Sequence, residues 1–330
     1  MTRNDLKQAI YSRGCILLLL PLLVILHGCD TAQDVDGTLE ATAEQQMESS
    51  SAQLSTQNAQ VKRNAQKSPR LLSAFFGLDN QIPAGIPGCQ NAGNDDGLPV
   101  VFSHTLNAFS IQETDFEVIS ASGARSTPVC ATLLPAISPG ELRTVLLIGE
   151  FGNPDDQPEE VTIVSNLFSN RAEGRRVNFK GATKRVVPLE DGPSLALAEI
   201  VPRIQRALAQ NGCPSDNTAQ VVRAVWDGGI TKPGGAEVDD VERELYRVTI
   251  KNAQGQISEV TPFAFGDLND GDNNHLLCLD VEGRPINVSF PAGAMTDPND
   301  DLNPRTSIPV TAKNHDDGND DDDDDDGDNE

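Results

Sequence analysis

The sequence has few aromatic residues and few histidines. Aromatic side chains make up 4% of the chain, with a single Trp at Trp226, so stacking platforms for sugars or single-stranded nucleic acid are not expected. Of the four histidines, His27 lies in the N-terminal leader, and only His104, His275 and His315 are left as candidate bases. No G-x-S-x-G, H-E-x-x-H or glycine-rich phosphate loop is present. We therefore expect no enzyme, although a glycosidase carboxylate pair would leave no sequence spacing to detect.

Positive charge is also scarce. The chain has 25 Lys+Arg against 50 Asp+Glu, a net charge of -25, which repels the phosphates of nucleic acid and also anionic lipid headgroups. We therefore expect no nucleic-acid partner. The charge is uneven, because residues 316–330 hold ten Asp and one Glu, which is -11 of the -25. The remaining 315 residues carry the other -14.

No apolar run is long enough to span a bilayer, which takes ~20 residues. Instead, a basic start with Arg3, Lys7 and Arg13 precedes an apolar run of twelve, residues 15–26, typical of a signal peptide. The run ends in Leu26-His27-Gly28-Cys29, which resembles the lipobox of bacterial lipoproteins. Only His27 departs from that pattern, where the family usually has Ala, Ser or Thr.

The resemblance implies that residues 1–28 are removed as a signal peptide, with cleavage between Gly28 and Cys29. The Cys29 thiol would take a diacylglyceryl group and hold the protein on a membrane of the bacterial cell envelope, facing the periplasm or the exterior. Asp30 after the lipidated residue favours the inner membrane. The alternative is an uncleaved signal anchor with an incidental cysteine. The resemblance covers the first tenth of the chain and implies nothing about the rest.

The segments that flank the central part cannot form a core. Residues 29–68 are rich in Gln, Ser and Ala with no aromatic residue, which predicts a disordered tether with an r.m.s. span of roughly 35 Å. Residues 313–330 form a poly-Asp tail that repels itself and is expected to be disordered. The alternative for the tail is a weak sink for divalent cations.

The central part predicts an all-β fold. Short β-rich segments at 100–103, 115–120, 128–134, 143–151 and 161–164 are separated by Gly, Pro, Asn and Asp turns. We expect two tandem Ig-like antiparallel β-sandwich modules, residues 69–201 and 202–312, with residues 177–200 completing the first. The exception is a short connecting helix over 202–210.

The second module is predicted as a weak repeat of the first. Four later segments follow the same order as earlier ones: 221–226 matches 100–103, 246–255 matches 116–123, 275–283 matches 145–152, and 286–289 matches 161–164. Upstream, 202–208 resembles 69–75, and each leads to a Gly-Cys pair. The alternative is coincidence among generic strand patterns.

Four cysteines are left once the leader and Cys29 are set aside, and an oxidising compartment favours their pairing. Three connectivities are possible. The repeat selects Cys89–Cys130 and Cys213–Cys278, since each module has one Cys at its start and one expected in a central strand. A zinc site is disfavoured, because no C-x-x-C is present and only His275 lies near a Cys.

Two Asp/Asn-rich loops are candidates for calcium. The first supplies five oxygen-bearing side chains: Asp267, Asn269, Asp270, Asp272 and Asn274. Its fit to an EF-hand is partial, since His275 stands at the glycine position and Val281 at the bidentate glutamate position. The second loop has Asp297, Asn299 and Asp301. The alternative for both is an Asx turn that caps backbone N–H groups.

These observations favour a non-enzymatic envelope lipoprotein whose β-sandwiches act as a binding, adhesion or structural module. Its expected partners are the membrane, through the lipid on Cys29, and an envelope protein or glycan. No cofactor is expected except possible calcium. The rival hypothesis is a calcium-dependent binding protein or hydrolase that uses the loop 267–274.

Overall fold

The fold is all-β. The structure, a computed structural model, describes residues 68–138, 140–171, 176–202, 212–266 and 271–311. The sixteen strands are β1 (Leu71–Ala74), β2 (Asp96–Phe102), β3 (Phe116–Ser120), β4 (Arg125–Ser126), β5 (Cys130–Thr132), β6 (Thr144–Gly149), β7 (Pro158–Ile163), β8 (Thr183–Arg185), β9 (Leu195–Ile200), β10 (Gln220–Trp226), β11 (Arg247–Lys251), β12 (Ile257–Val260), β13 (Ala264–Gly266), β14 (Asn274–Leu279), β15 (Arg284–Phe290) and β16 (Thr306–Thr311). Helical structure in these ranges consists of α1 (Asp240–Arg243) and the 3-10 turns Ala108–Ser110 and Glu113–Asp115.

The first half of the described chain, β1 to β8, is a β-sandwich. Sheet 1a has the strand order β1-β2-β6-β5, and sheet 1b has the order β4-β3-β7-β8. Alternate side chains of both sheets meet in one core, such as Val100 and Phe102 from sheet 1a with Phe116 and Val161 from sheet 1b. This alternation is what the period of two in a β-strand requires when one face is buried.

The second half, β9 to β16, is built on one sheet of eight strands. Its order is β12-β11-β15-β16-β9-β10-β14-β13, and the β16–β9 pair is parallel while the other pairs are antiparallel. The sheet folds over on itself at that pair, so arm 2a (β9-β10-β14-β13) faces arm 2b (β12-β11-β15-β16). Trp226, Tyr246 and Phe290 fill the core between the arms.

The two halves have the same strand order. We take β9 as the counterpart of β1, and each later strand up to β16 as the counterpart of the corresponding strand up to β8. The strand order of sheet 1a then matches that of arm 2a, and the order of sheet 1b matches that of arm 2b. Even the parallel contact recurs, because Phe75 at the end of β1 bridges Val187, as Ala198 of β9 pairs with Val310 of β16. Four of the predicted repeat matches lie on counterpart strands: β10 with β2, β11 with β3, β14 with β6 and β15 with β7.

The strand β9 lies elsewhere than the sequence suggested. The boundary at residues 201/202 assigned 195–200 to the first module, but β9 pairs with β10 and β16 in the sheet of the second half. The strand order makes β9 the counterpart of β1, whereas the match of 69–75 with 202–208 stays a prediction because residues 203–208 are not described. Residues 203–211, which hold most of the predicted connecting helix, lie outside the described residues, as do 29–67 and 312–330.

The halves pack through sheet 1a and arm 2a. Leu72 and Val101 of the first half meet Leu197 and Val225 of the second in an apolar cluster. Both faces of β10 are therefore buried, one against arm 2b and one against sheet 1a. Gly228 follows β10 at the point of closest approach, where an added Cβ would lie 2.6 Å from a ring carbon of Phe75.

Each half contains one disulfide, and the pairs are those that the sequence predicts. Cys89 is bonded to Cys130 with a Cα–Cα distance of 5.7 Å, and Cys213 to Cys278 with 5.5 Å. Their positions are not equivalent, however. Cys278 lies on the interior strand β14, whereas Cys130 lies on the edge strand β5 rather than on a central strand.

Candidate functional site

The first predicted calcium loop is only partly described. Asp267, Asn269 and Asp270 lie outside the described residues. Asp272 and Asn274 are buried and bonded to each other: the carboxylate of Asp272 accepts the backbone N–H of Asn274 at 2.7 Å and its side-chain amide at 3.2 Å. This is an Asx turn that leads into β14.

The second predicted calcium loop joins the two halves. Oδ1 of Asp297 accepts the backbone N–H groups of Asn299 (3.0 Å) and Asp301 (2.9 Å), which again forms an Asx turn. The Asn299 side chain donates to the carbonyl of Gly77 at 2.8 Å and accepts from the side chain of Gln81 at 3.3 Å. The Asn299 side chain is thus hydrogen-bonded to residues of the first half of the chain. Oδ1 of Asp297 is hydrogen-bonded to backbone N–H groups.

The described residues of the two loops do not form a metal-binding group. Within the described ranges, no cluster of three or more His, Cys, Asp or Glu side chains has a geometry that could hold a metal ion. Two buried oxygens in the loops, Oδ1 of Asn274 and Oδ2 of Asp297, have no hydrogen-bond partner among the described residues. The calcium hypothesis for the loop 267–274 stays a prediction.

His275 is a core residue. Trp226 Nε1 donates to the hydroxyl of Tyr246 at 2.8 Å, and that hydroxyl lies 2.8 Å from Nδ1 of His275. Burial lowers the pKa of His275 to about 3 and raises that of Tyr246. The imidazole is therefore neutral at physiological pH and shares a hydrogen bond with the tyrosine hydroxyl, which is a structural role rather than that of an accessible base.

A pair of buried carboxyls was missed by sequence reasoning. Asp227 lies just after β10, and its Oδ1 accepts the backbone N–H of Ser194 at 2.8 Å. Burial and, to a smaller extent, the nearby charge of Asp297 raise the pKa of Asp227 to about 7. Three backbone hydrogen bonds act in the opposite direction and lower this pKa. Burial likewise raises the pKa of Asp297 to about 6. Nothing in the sequence distinguishes Asp227 from other Asp residues in turns.

A buried ionic network between the halves was also missed. Nη2 of Arg143 lies 3.1 Å from both carboxylate oxygens of Glu199, and Nη1 of Arg223 lies 3.0 Å from one of them. Glu141 is 3.9 Å from Nε of Arg223. All four side chains are almost completely buried. Arg223 interrupts the apolar residues of β10 (Gln220–Trp226). This interruption is the feature of the sequence that could have indicated the network.

In the first half, an exposed aromatic side chain and several exposed basic side chains lie on loops that are joined by backbone hydrogen bonds. We call this surface the basic loop end; its members are Phe109, Phe168, Arg171, Arg176 and Lys180. Backbone bonds hold its loops together, among them Asn170 N–H to the carbonyl of Thr105 at 2.7 Å. The Phe109 ring is 99% exposed. Its turn is fixed, because Oδ1 of Asn107 accepts the N–H of Phe109 at 3.2 Å.

The basic side chains of this surface are also exposed. Arg176 stacks on Phe168, with its guanidinium carbon 3.8 Å from the ring centroid. Arg171 and Lys180 are exposed, and neither forms an ion pair with a described residue. The signal in the sequence was a local excess of base, since residues 166–185 contain six of the 25 Lys+Arg and a single acid, Glu173.

Comparisons with known proteins give no family for this chain. No protein-family model matches it, and no curated protein does. Two solved structures resemble it weakly. The N-terminal part of the bacterial S-layer protein SbsC has 12% identity and a TM-score of 0.25 over 79% of this chain and 48% of that chain. Native alpha-2-macroglobulin from Escherichia coli, spanning domains MG0-NIE-MG1, has 12% identity and a TM-score of 0.24 over 74% and 72%.

The chain therefore spans about half the length of the S-layer structure. Both TM-scores are too low to support any inference, so the fold is assigned from the strand pairing described above. Among the helices of the described ranges, none is long and apolar enough to cross a membrane.

Proposed function

We propose that the chain is a lipid-anchored protein of the bacterial cell envelope, whose folded part is a non-enzymatic binding, adhesion or structural module. The observation that carries the anchor is the tetrapeptide Leu26-His27-Gly28-Cys29 directly behind a short apolar run. The lipid would sit on Cys29, and residues 30–67 would link it to the folded part.

The contact between the halves supports the proposal of a module that acts as one body. The apolar cluster around Val101 and Val225 and the network around Glu199 fix sheet 1a against arm 2a. Such a contact suits a spacer or docking unit, which must hold a fixed shape. The ligand would be an envelope protein or a glycan.

Metabolic labelling with a radioactive fatty acid tests the anchor. We expect the wild-type chain to take up label and to fractionate with membranes, and the Cys29→Ala variant to lose the label. The Cys15→Ala variant is the matched control, because Cys15 lies inside the apolar run and should not affect labelling. Label retained by Cys29→Ala, or lost equally in Cys15→Ala, would contradict the proposal.

A further inference from the structure

We propose that the basic loop end is a contact site for an anionic lipid bilayer, with Phe109 entering the headgroup region and Arg171, Arg176 and Lys180 facing the lipid phosphates. This proposal rests in part on the proposed anchor, which would bring the folded part near a membrane. The side chains of the basic loop end themselves all belong to described residues.

The exposure of Phe109 is the first observation. A phenylalanine that is 99% exposed at the tip of a turn contributes nothing to the core of its own half. The turn is nevertheless ordered, because both the N–H of Phe109 and the backbone of Ser110 are bonded to Asn107. A fixed turn that presents one apolar side chain is the arrangement that an interfacial membrane contact needs, since no ordering of the loop has to accompany insertion.

The second observation is the charge on the loops that are bonded to the Phe109 loop. The neighbouring loops expose three basic side chains, those of Arg171, Arg176 and Lys180. The adjacent turn exposes one described acid, Glu113. Exposed charges interact over roughly a Debye length, ~8–10 Å at physiological salt, so this local excess of base acts even though the whole chain is acidic. Basic side chains near an anionic membrane surface are attracted by its phosphates and negative potential.

The combination favours lipid over the other anionic partners. The net charge of -25 opposes nucleic acid and anionic lipid alike, but double-stranded nucleic acid also has no apolar layer that Phe109 could enter. The poly-Asp tail has no apolar side chain that could cover the ring. A stable protein partner would need about 800 Å² on each side with an apolar centre, which one isolated ring does not provide. A bilayer interface accepts a single aromatic residue flanked by cations.

Vesicle sedimentation tests the site. The test uses the mature chain with Cys29→Ser, so that no acyl group contributes to vesicle binding. A negative result then counts against this site and not against the proposed lipid anchor. We expect it to sediment with vesicles that contain phosphatidylglycerol, at an ionic strength of about 0.1 M, but not with vesicles of phosphatidylcholine alone. Replacing Arg171, Arg176 and Lys180 by Ala should lower the partition coefficient about 100-fold, at roughly fivefold for each basic residue. Phe109→Ser should lower it about fivefold.

Matched controls lie on the second half. Ile257→Ser removes another exposed apolar residue, one that is 65% exposed on β12. A triple change of Lys251, Arg284 and Arg305 to Ala removes the same charge from exposed positions. Both controls should bind as the parent does, and melting curves establish that every variant is folded.

Three results would overturn the proposal. The parent could bind both kinds of vesicle equally or neither kind. The control triple variant could lose as much binding as the Arg171/Arg176/Lys180 variant, which would show general charge attraction. Finally, binding could appear only after deletion of residues 316–330, which would identify the tail as the occupant of this surface.

Discussion

Glu199 is a single buried acid that faces two buried arginines across the contact between the halves. Its carboxylate lies about 3 Å from guanidinium nitrogens of both Arg143 and Arg223. Removing it leaves two cations without that counter-charge in a site from which water is excluded. Breaking a buried pair in this way costs ~3–5 kcal/mol, although a buried pair adds little net stability itself.

We therefore predict that Glu199→Ala lowers the free energy of unfolding by about 3–5 kcal/mol in denaturant titrations. The control is Glu159→Ala, which breaks a surface pair with Arg185 whose side chains are 52% and 81% exposed. That change should cost less than about 1 kcal/mol. Equal effects of the two changes would show that the buried network does not stabilise the contact.

The carboxyl of Asp227 predicts a dependence of stability on pH. Its pKa is raised from 3.8 to about 7 in the folded state, so the folded chain holds its proton at a pH where the unfolded chain has lost it. The stabilisation from the neutral form is complete below pH ~4 and is lost as the pH rises through about 7.

Unfolding at pH 5 and pH 8 measures this effect. We expect the wild type to be more stable at pH 5 by an amount on the order of a few kcal/mol, and Asp227→Asn to reduce that difference. Asp156→Asn serves as a comparison, since hydrogen bonds from Ser122 and Ser120 lower the pKa of Asp156. An unchanged slope in Asp227→Asn would mean that other groups set the pH dependence.

At this scale the sequence could identify residue types but not their environments. It suggested Asp297 as an oxygen ligand because of its spacing from Asn299 and Asp301. In the structure that spacing lets Oδ1 of Asp297 accept the backbone N–H groups of both residues. The same local geometry serves a calcium loop and an Asx turn, and only surroundings distant in sequence separate the two.

At the scale of elements, β9 shows that the local sequence pattern does not determine which strands a given strand pairs with. Residues 195–200 form a strand between turn-rich segments, which the β-rich composition suggested. Its partners are β10, about 25 residues later, and β16, more than 100 residues later. Nothing in the strand's own residues states which of two similar sandwiches it joins.

The disulfides could be predicted because the repeat reduced three connectivities to one. They close loops of 41 and 65 residues, for which loss of unfolded-state entropy corresponds to about 4 kcal/mol each. We therefore predict that replacing Cys213 and Cys278 together by Ala lowers the free energy of unfolding by about 4 kcal/mol, as does replacing Cys89 and Cys130. Denaturant titration of oxidised samples measures both, and a double variant as stable as the wild type would contradict the prediction.

On the scale of the whole molecule, the contact between sheet 1a and arm 2a couples the two halves. Trp226 is the single Trp of the chain and lies in the core of the second half, so its fluorescence reports on that half alone. Far-UV circular dichroism reports on both halves.

We predict that the two signals follow one coincident unfolding curve, as two-state behaviour requires. In Glu199→Ala the curves should separate, because the coupling is weakened. Curves that are already separate in the wild type would show that the halves unfold independently and that the contact is not a strong one.

The contact between the halves is formed by counterpart strands, β1 and β2 on one side and β9 and β10 on the other. Like surfaces that meet in this way are what a two-fold symmetric homodimer has at its interface. The consequence is that a polypeptide with one such half alone would display the apolar face that the other half covers here. Joining the copies in one chain makes that association independent of concentration.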